Sequence, residues 1–134
     1  MTIVETMHKA TSNLENETLP NVLVGTTEGL HHIMNGLSRV ELTGHEVRSL
    51  VRIASELWAI IDRREVWRFG LDDRWRKVAA VSGLDAICLW PTSEQVLVGT
   101  SEAHLWRLRQ RTLEPIPSFD KVEGRNTWYN PAGS

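Results

Sequence analysis

Apolar and polar residues alternate in short stretches along this chain, each about a strand in length and bounded by Gly, Asn, Asp or Ser. The most regular stretch is VLVGTSEAHLWRL, Val96 to Leu108. A close relative, VLVGTTEGLHHI, stands at Val22 to Ile33, and a looser copy, ELWAIIDRREVWRF, at Glu56 to Phe69. Aligned on Leu30-His31-His32-Ile33, Val66-Trp67-Arg68-Phe69 and Leu105-Trp106-Arg107-Leu108, the copies are offset by 66−30 = 36 and 105−66 = 39 residues. A period of roughly 40 residues is the length of one four-stranded propeller blade. The pattern predicts an all-β chain of about three such antiparallel meanders, over 22–44, 45–83 and 84–120, followed by the start of a further connection.

In the first copy, Val22–Val24, Leu30–Ile33 and Arg39–Leu42 read as strands, with turns at Thr27-Glu28-Gly29 and Asn35-Gly36. This copy lacks a recognisable inner strand. Residues 1–21 are mostly polar and read as a flexible leader. In the third copy, Ala86–Trp90, Val96–Gly99, Leu105–Leu108 and Leu113–Ile116 are the expected strands, and Pro115 and Pro117 suit an edge.

Two readings compete in the middle copy. Val47, Leu50, Val51, Ala54, Leu57, Trp58 and Ile61 fall at helical steps of three and four, and Thr43 with Glu46 resembles a capping box. Register favours strands instead, because Leu57-Trp58-Ala59 takes the place of Leu23-Val24-Gly25 and Leu97-Val98-Gly99. A repeat that turned helical in the middle would have no matching face to stack on. The strand reading gives Ser49–Ile53, Leu57–Ile61, Glu65–Phe69 and Trp75–Ala79.

The signature L-V-G-T-x-E-G/A-x-L occurs at Leu23–Leu30 and, with one extra residue, at Leu97–Leu105. With the segment Trp128-Tyr129-Asn130-Pro131-Ala132-Gly133 it resembles the BNR/Asp-box sialidase-like propeller repeats, also described as YVTN-type. The resemblance implies blades, and an inner strand for the first copy donated by the C-terminus. It also implies more blades than this chain holds, so either the chain is a fragment or two copies complete a ring of about six. The Asp-box positions, Asn35-Gly36-Leu37-Ser38 and Leu71-Asp72-Asp73-Arg74-Trp75, are degenerate. The family's carboxylate-binding arginines and Tyr nucleophile find no matching set here, Tyr129 being the single tyrosine.

Composition narrows the chemistry further. The 134 residues carry a formal net charge of −2 and no Lys/Arg-rich run, which argues against nucleic acid. No apolar run of about 20 residues would span a bilayer. Cys88 stands alone, which fits a cytoplasmic, reducing location and a buried thiol, and leaves no multi-thiolate metal site. His31 and His32 are adjacent and point to opposite faces of a strand, so they do not share an ion. No cofactor or metal is expected. Trp67 and Trp106, at equivalent places with His31 in the first copy, read as packing between blades, as do Trp58 and Trp90. Trp128 has no place in the scheme.

Propeller geometry gathers the second-to-third loops and the outer-to-inner loops on one rim. Glu28, His45, Asp62, Arg63, Arg64, Glu65, Glu102 and His104 would lie there, with Glu46 and Asp85. The expectation is a non-catalytic binding or scaffold module with a protein partner or self-association. The alternative is a fragment of a sialidase-like glycoside hydrolase or propeller lyase whose essential residues lie outside the chain.

Overall fold

Among the described residues, twelve strands form three four-stranded antiparallel sheets, each a meander in chain order. The structure is a computed structural model and describes residues 2–6 and 21–128. The first sheet holds β1 (Thr2–Thr6), β2 (Asn21–Thr26), β3 (Gly29–Met34) and β4 (Leu37–Glu41). The second holds β5 (Val47–Ile53), β6 (Glu56–Ile61), β7 (Glu65–Phe69) and β8 (Trp75–Ala80). The third holds β9 (Ala86–Pro91), β10 (Val96–Thr100), β11 (Leu105–Arg109) and β12 (Thr112–Pro115). A one-turn helix, α1 (Pro117–Asp120), follows.

The sheets stack face to face in chain order, the second between the other two, and among the described residues they close no ring. Two apolar seams result. Leu23 and Leu30 of the first sheet meet Val47, Leu50, Leu57, Ala59 and Ile61 of the second. On the other side Trp58, Ile60, Val66 and Ala79 meet Ala86, Leu89, Val96, Val98 and Leu113.

The middle copy is β5 and β6, with no helix between 46 and 61. A strand covered on both faces buries every residue, so Leu57 to Ile61 is a continuous apolar run that also satisfies helical spacing. Glu46, the would-be capping residue, is occupied elsewhere: its amide donates to Asp62 Oδ1 at 3.0 Å.

Register corrects the phase of the middle copy. Gly25 pairs with Leu30, Ile60 with Val66, and Gly99 with Leu105. The counterpart of Leu23-Val24-Gly25 is therefore Trp58-Ala59-Ile60, one residue later than the sequence alignment placed it. The third-strand alignment stands unchanged.

The inner strand expected to be missing from the first copy is Thr2–Thr6, paired with β2 from Thr2↔Gly25 to Thr6↔Asn21. This part of the expected leader, like its last residue Asn21, is strand. Residues 1 and 7–20 of it lie outside the described residues, as does 129–134 of the Trp-Tyr-Asn-Pro segment. Trp128 itself packs edge-on against Phe119 of α1, with ring centroids 5.8 Å apart.

Inner strands communicate through a bulge. Ser49, at φ 55°, interrupts the β5–β6 register, and its Oγ accepts from the Leu89 amide of β9 at 3.0 Å. Ser49→Ala leaves that amide without its partner. The expected loss is about 1–2 kcal/mol of unfolding free energy, measured by denaturant titration.

Two sequence expectations fail on the third sheet. Cys88 is exposed, and Trp90 is 67% exposed. Both point away from the second sheet, on the side where no described sheet follows, so no surface covers them. Trp67 and Trp106 do pack against the seams, facing the preceding sheet in each case. Among the described residues no helix is long and apolar enough to cross a membrane.

Candidate functional site

One end of the stack collects the β2–β3, β6–β7 and β10–β11 turns together with both inter-sheet connections. Backbone hydrogen bonds hold them there. Glu28 O accepts from Gly44 N at 3.1 Å, and Glu46 O accepts from Asp62 N at 2.9 Å. Arg64 O accepts from Val81 N at 2.8 Å, Arg63 O from Ala86 N at 2.6 Å, and Asp85 O from Ser101 N at 2.8 Å. Each connection is thus tied to hairpin turns of the sheets it joins.

Side chains then form one central cluster around the β6–β7 turn. His45 Nδ1 lies 2.6 Å from Asp62 Oδ2, and the His45 ring tilts against Trp67 with centroids 5.7 Å apart. Glu46 pairs with Arg48 and, at 3.4 Å, with Arg63 Nε. Asp85 sits 3.7 Å from both Arg63 and Arg64. Asp62 and Arg63 have φ of 52° and 68°, which reverses the chain tightly enough to present consecutive arginines outward.

Glu65 borders this cluster through Trp67, accepting from its Nε1 at 3.2 Å, and pairs with Lys77 Nζ of the outer strand at 2.7 Å. The remaining predicted residues lie apart from it. His104 forms a second centre with Asp120, Nδ1 to Oδ1 2.7 Å. Arg125 caps the neighbouring turn by donating to the carbonyls of Glu102 at 2.9 Å and Ala103 at 2.8 Å. Glu28 meets the first connection through its backbone alone in these bonds. Sequence reading missed Lys77, Asp120 and Arg125 because each finds its partner only through strand pairing or chain return; it also missed Arg48, whose partner Glu46 is only two residues away.

The Asp62 carboxyl shows the balance of forces at the cluster. Burial pushes it up, but the His45 hydrogen bond, the Glu46 amide and the His45 charge together hold it below the ordinary carboxylate value of 3.8. A depressed folded-state value means the contribution is complete above that ordinary value and is lost as pH falls through the folded one. Acid titration of stability should therefore show an Asp62 component below about pH 4 that Asp62→Asn removes. Its size should stay under about 1 kcal/mol, since both partners are substantially exposed.

A second feature opens toward the other end, between the first two sheets. It is a cleft of about 600 Å³ floored by Leu23, Leu57, Phe69 and Trp75 and walled by Arg39 and Arg52. Arg39 is already paired with Glu41 at 2.6 Å. His32 lines this cleft and His31 faces the opposite side of the sheet, since their strand partners Leu23 and Val24 do the same. Among the described residues no three His, Cys, Asp or Glu side chains are placed to hold a metal ion. In the degenerate Asp box, Asp72 is held low by its hydrogen bond to Arg76, Oδ1 to Nη1 2.8 Å. That pair staples the β7–β8 turn.

No known protein family, curated protein or solved structure matches this chain.

Proposed function

We propose that the three sheets are propeller blades, of the BNR/YVTN-like kind the sequence resembles, and that the chain is a non-catalytic binding module of the cytoplasm. The observation that carries the reading is the pair Arg63 and Arg64, on the outermost turn of the central cluster and 57% and 58% exposed. Their distances of 3.7 Å to Asp85 are ion-pair distances too long for a hydrogen bond. Most of their guanidinium donors stay free to bind carboxylates of an acidic protein segment, for which the planar fork is suited. Backbone bonds of both residues hold the turn, and the side chains add only the long, exposed Arg63 Nε bond to Glu46 at 3.4 Å, so function and stability largely separate.

The test is binding of a labelled oligoglutamate peptide, with an oligolysine peptide as control. Arg63→Ala with Arg64→Ala should weaken the acidic peptide at least about tenfold, with stability changed by less than about 1 kcal/mol. Equal binding by the wild-type and the double variant would remove the rim as the binding surface. The alternative, a piece of a sialidase-like hydrolase or propeller lyase, has no arrangement among the described residues in its favour.

A further inference from the structure

Both seams follow one rule: the face of a sheet that looks toward its successor meets the face of the successor that looks back. The backward-looking positions of the second sheet include Leu57, Ala59 and Ile61, and those of the third include Val96, Val98 and Thr100. All six are buried. Their counterparts in the first sheet are Val22, Val24 and Thr26, and these are only half-buried. Around them on the same face, by strand register, stand Ile3, Ile33 and Val40, which are 57%, 39% and 46% exposed, with His31 between Val24 and Val40 and Ser38 beside Ile33. This is a largely apolar sheet face with no sheet against it among the described residues.

The forward-looking face of the third sheet is its complement. Leu97 and Gly99 occupy the places that Leu23 and Gly25 hold in the first sheet and that Trp58 and Ile60 hold in the second. Exposed Trp90 pairs with Leu97, and exposed Cys88 with Gly99. The glycines are informative. A Cβ on Gly25 would lie 2.6 Å from the Val47 carbonyl oxygen of the next sheet, so glycine there admits the successor's inner strand. A Cβ on Gly99 would meet only the Cys88 thiol of its own sheet. The motif glycine recurs at the forward face that has no successor sheet among the described residues.

We propose that a second copy of this chain supplies that successor: the forward face of the third sheet receives the backward face of the partner's first sheet. Two copies do this reciprocally and close a ring of six sheets, within the usual range for propellers. The occupant is a second copy because the two open faces carry the same position sets that already mate twice within the chain. The proposal rests on the blade reading above but uses no rim residue.

Sedimentation equilibrium of the full chain at micromolar concentration should give about twice the chain mass of 15.2 kDa. Val24→Glu and Leu97→Glu, one on each open face, should each give the single-chain mass with an unchanged strand-rich far-ultraviolet spectrum. An equimolar mixture of the two variants retains one intact seam and should recover the two-chain mass, which misfolded chains would not do. In the wild type, Cys88 should be protected from a thiol reagent and become reactive on dilution. A wild-type monomer, a single variant that stays dimeric, species larger than two chains, or a Cys88 equally reactive at every concentration would each overturn the ring. A monomer that keeps its strand-rich spectrum overturns the ring alone, whereas loss of that spectrum in the wild type would remove the blade reading too.

Discussion

Ile60→Ala and Ile61→Ala should each lower the unfolding free energy by about 3 kcal/mol, yet loosen opposite ends of the molecule. Both residues are fully buried, and they are adjacent in β6. Ile60 belongs to the seam with the third sheet and Ile61 to the seam with the first. Each truncation leaves a cavity in one seam and spares the other. In a linear stack a terminal sheet has one neighbouring sheet in its chain, so weakening one seam frees one end first. Amide exchange should therefore rise in β10 and β11 for Ile60→Ala, and in β2 and β3 for Ile61→Ala. Identical exchange maps for the two variants would mean that the stack opens as one unit.

Gly25→Ala is the second change expected to be severe. The added methyl would lie 2.6 Å from the Val47 carbonyl oxygen and 2.9 Å from Thr2 Cγ2. The first of these is backbone, which cannot rotate aside, so the first two sheets must separate slightly along their inner edge. Overpacking of this kind costs about 1–3 kcal/mol, and the rigid neighbour places this case at the upper end. For a domain of this size that corresponds to a fall in Tm of roughly 6–12 °C, readable by calorimetry. Gly99→Ala offers the control from the same motif. Its methyl would meet only the Cys88 Sγ, which can turn away, so the chain's own fold should lose less than about 1 kcal/mol. If the proposed ring forms, the same variant would instead register as weaker association between copies.

These contrasts show where sequence reading reached its limit. Of the twelve strands among the described residues, nine follow from turn residues and alternation and two more, β5 and β6, from the register of the repeat, each within three residues at either end. The missed strand, Thr2–Thr6, is short and polar at its ends, and it joins β2 across residues 7–20. Only pairing with β2 makes it a strand. The one-residue slip in the middle copy has a related cause. β6 is covered on both faces, so Leu57 to Ile61 shows no alternation from which to tell one face from the other.

The rim was legible as a set of loops but not as a set of partners. Strand order alone sends the connections and hairpin turns to the same end. Which charges neutralise each other depends on turn geometry: the left-handed Asp62-Arg63 pair delivers Asp62 to His45, 17 residues away, and leaves the arginines outward. The pairing of His104 with Asp120 needs the chain to return over its own turn after β12.

The repeat of apolar signatures by itself determined the meander, its period and the end at which the charged loops gather, because alternation and turn chemistry are local. Tertiary structure decided which face of each sheet is covered. Trp90 and Cys88 are exposed while Val96 and Val98 are buried in the same sheet, although all four look like core residues in the sequence. Burial belongs to a pair of surfaces, and the amino-acid pattern of one surface does not say whether the other is there.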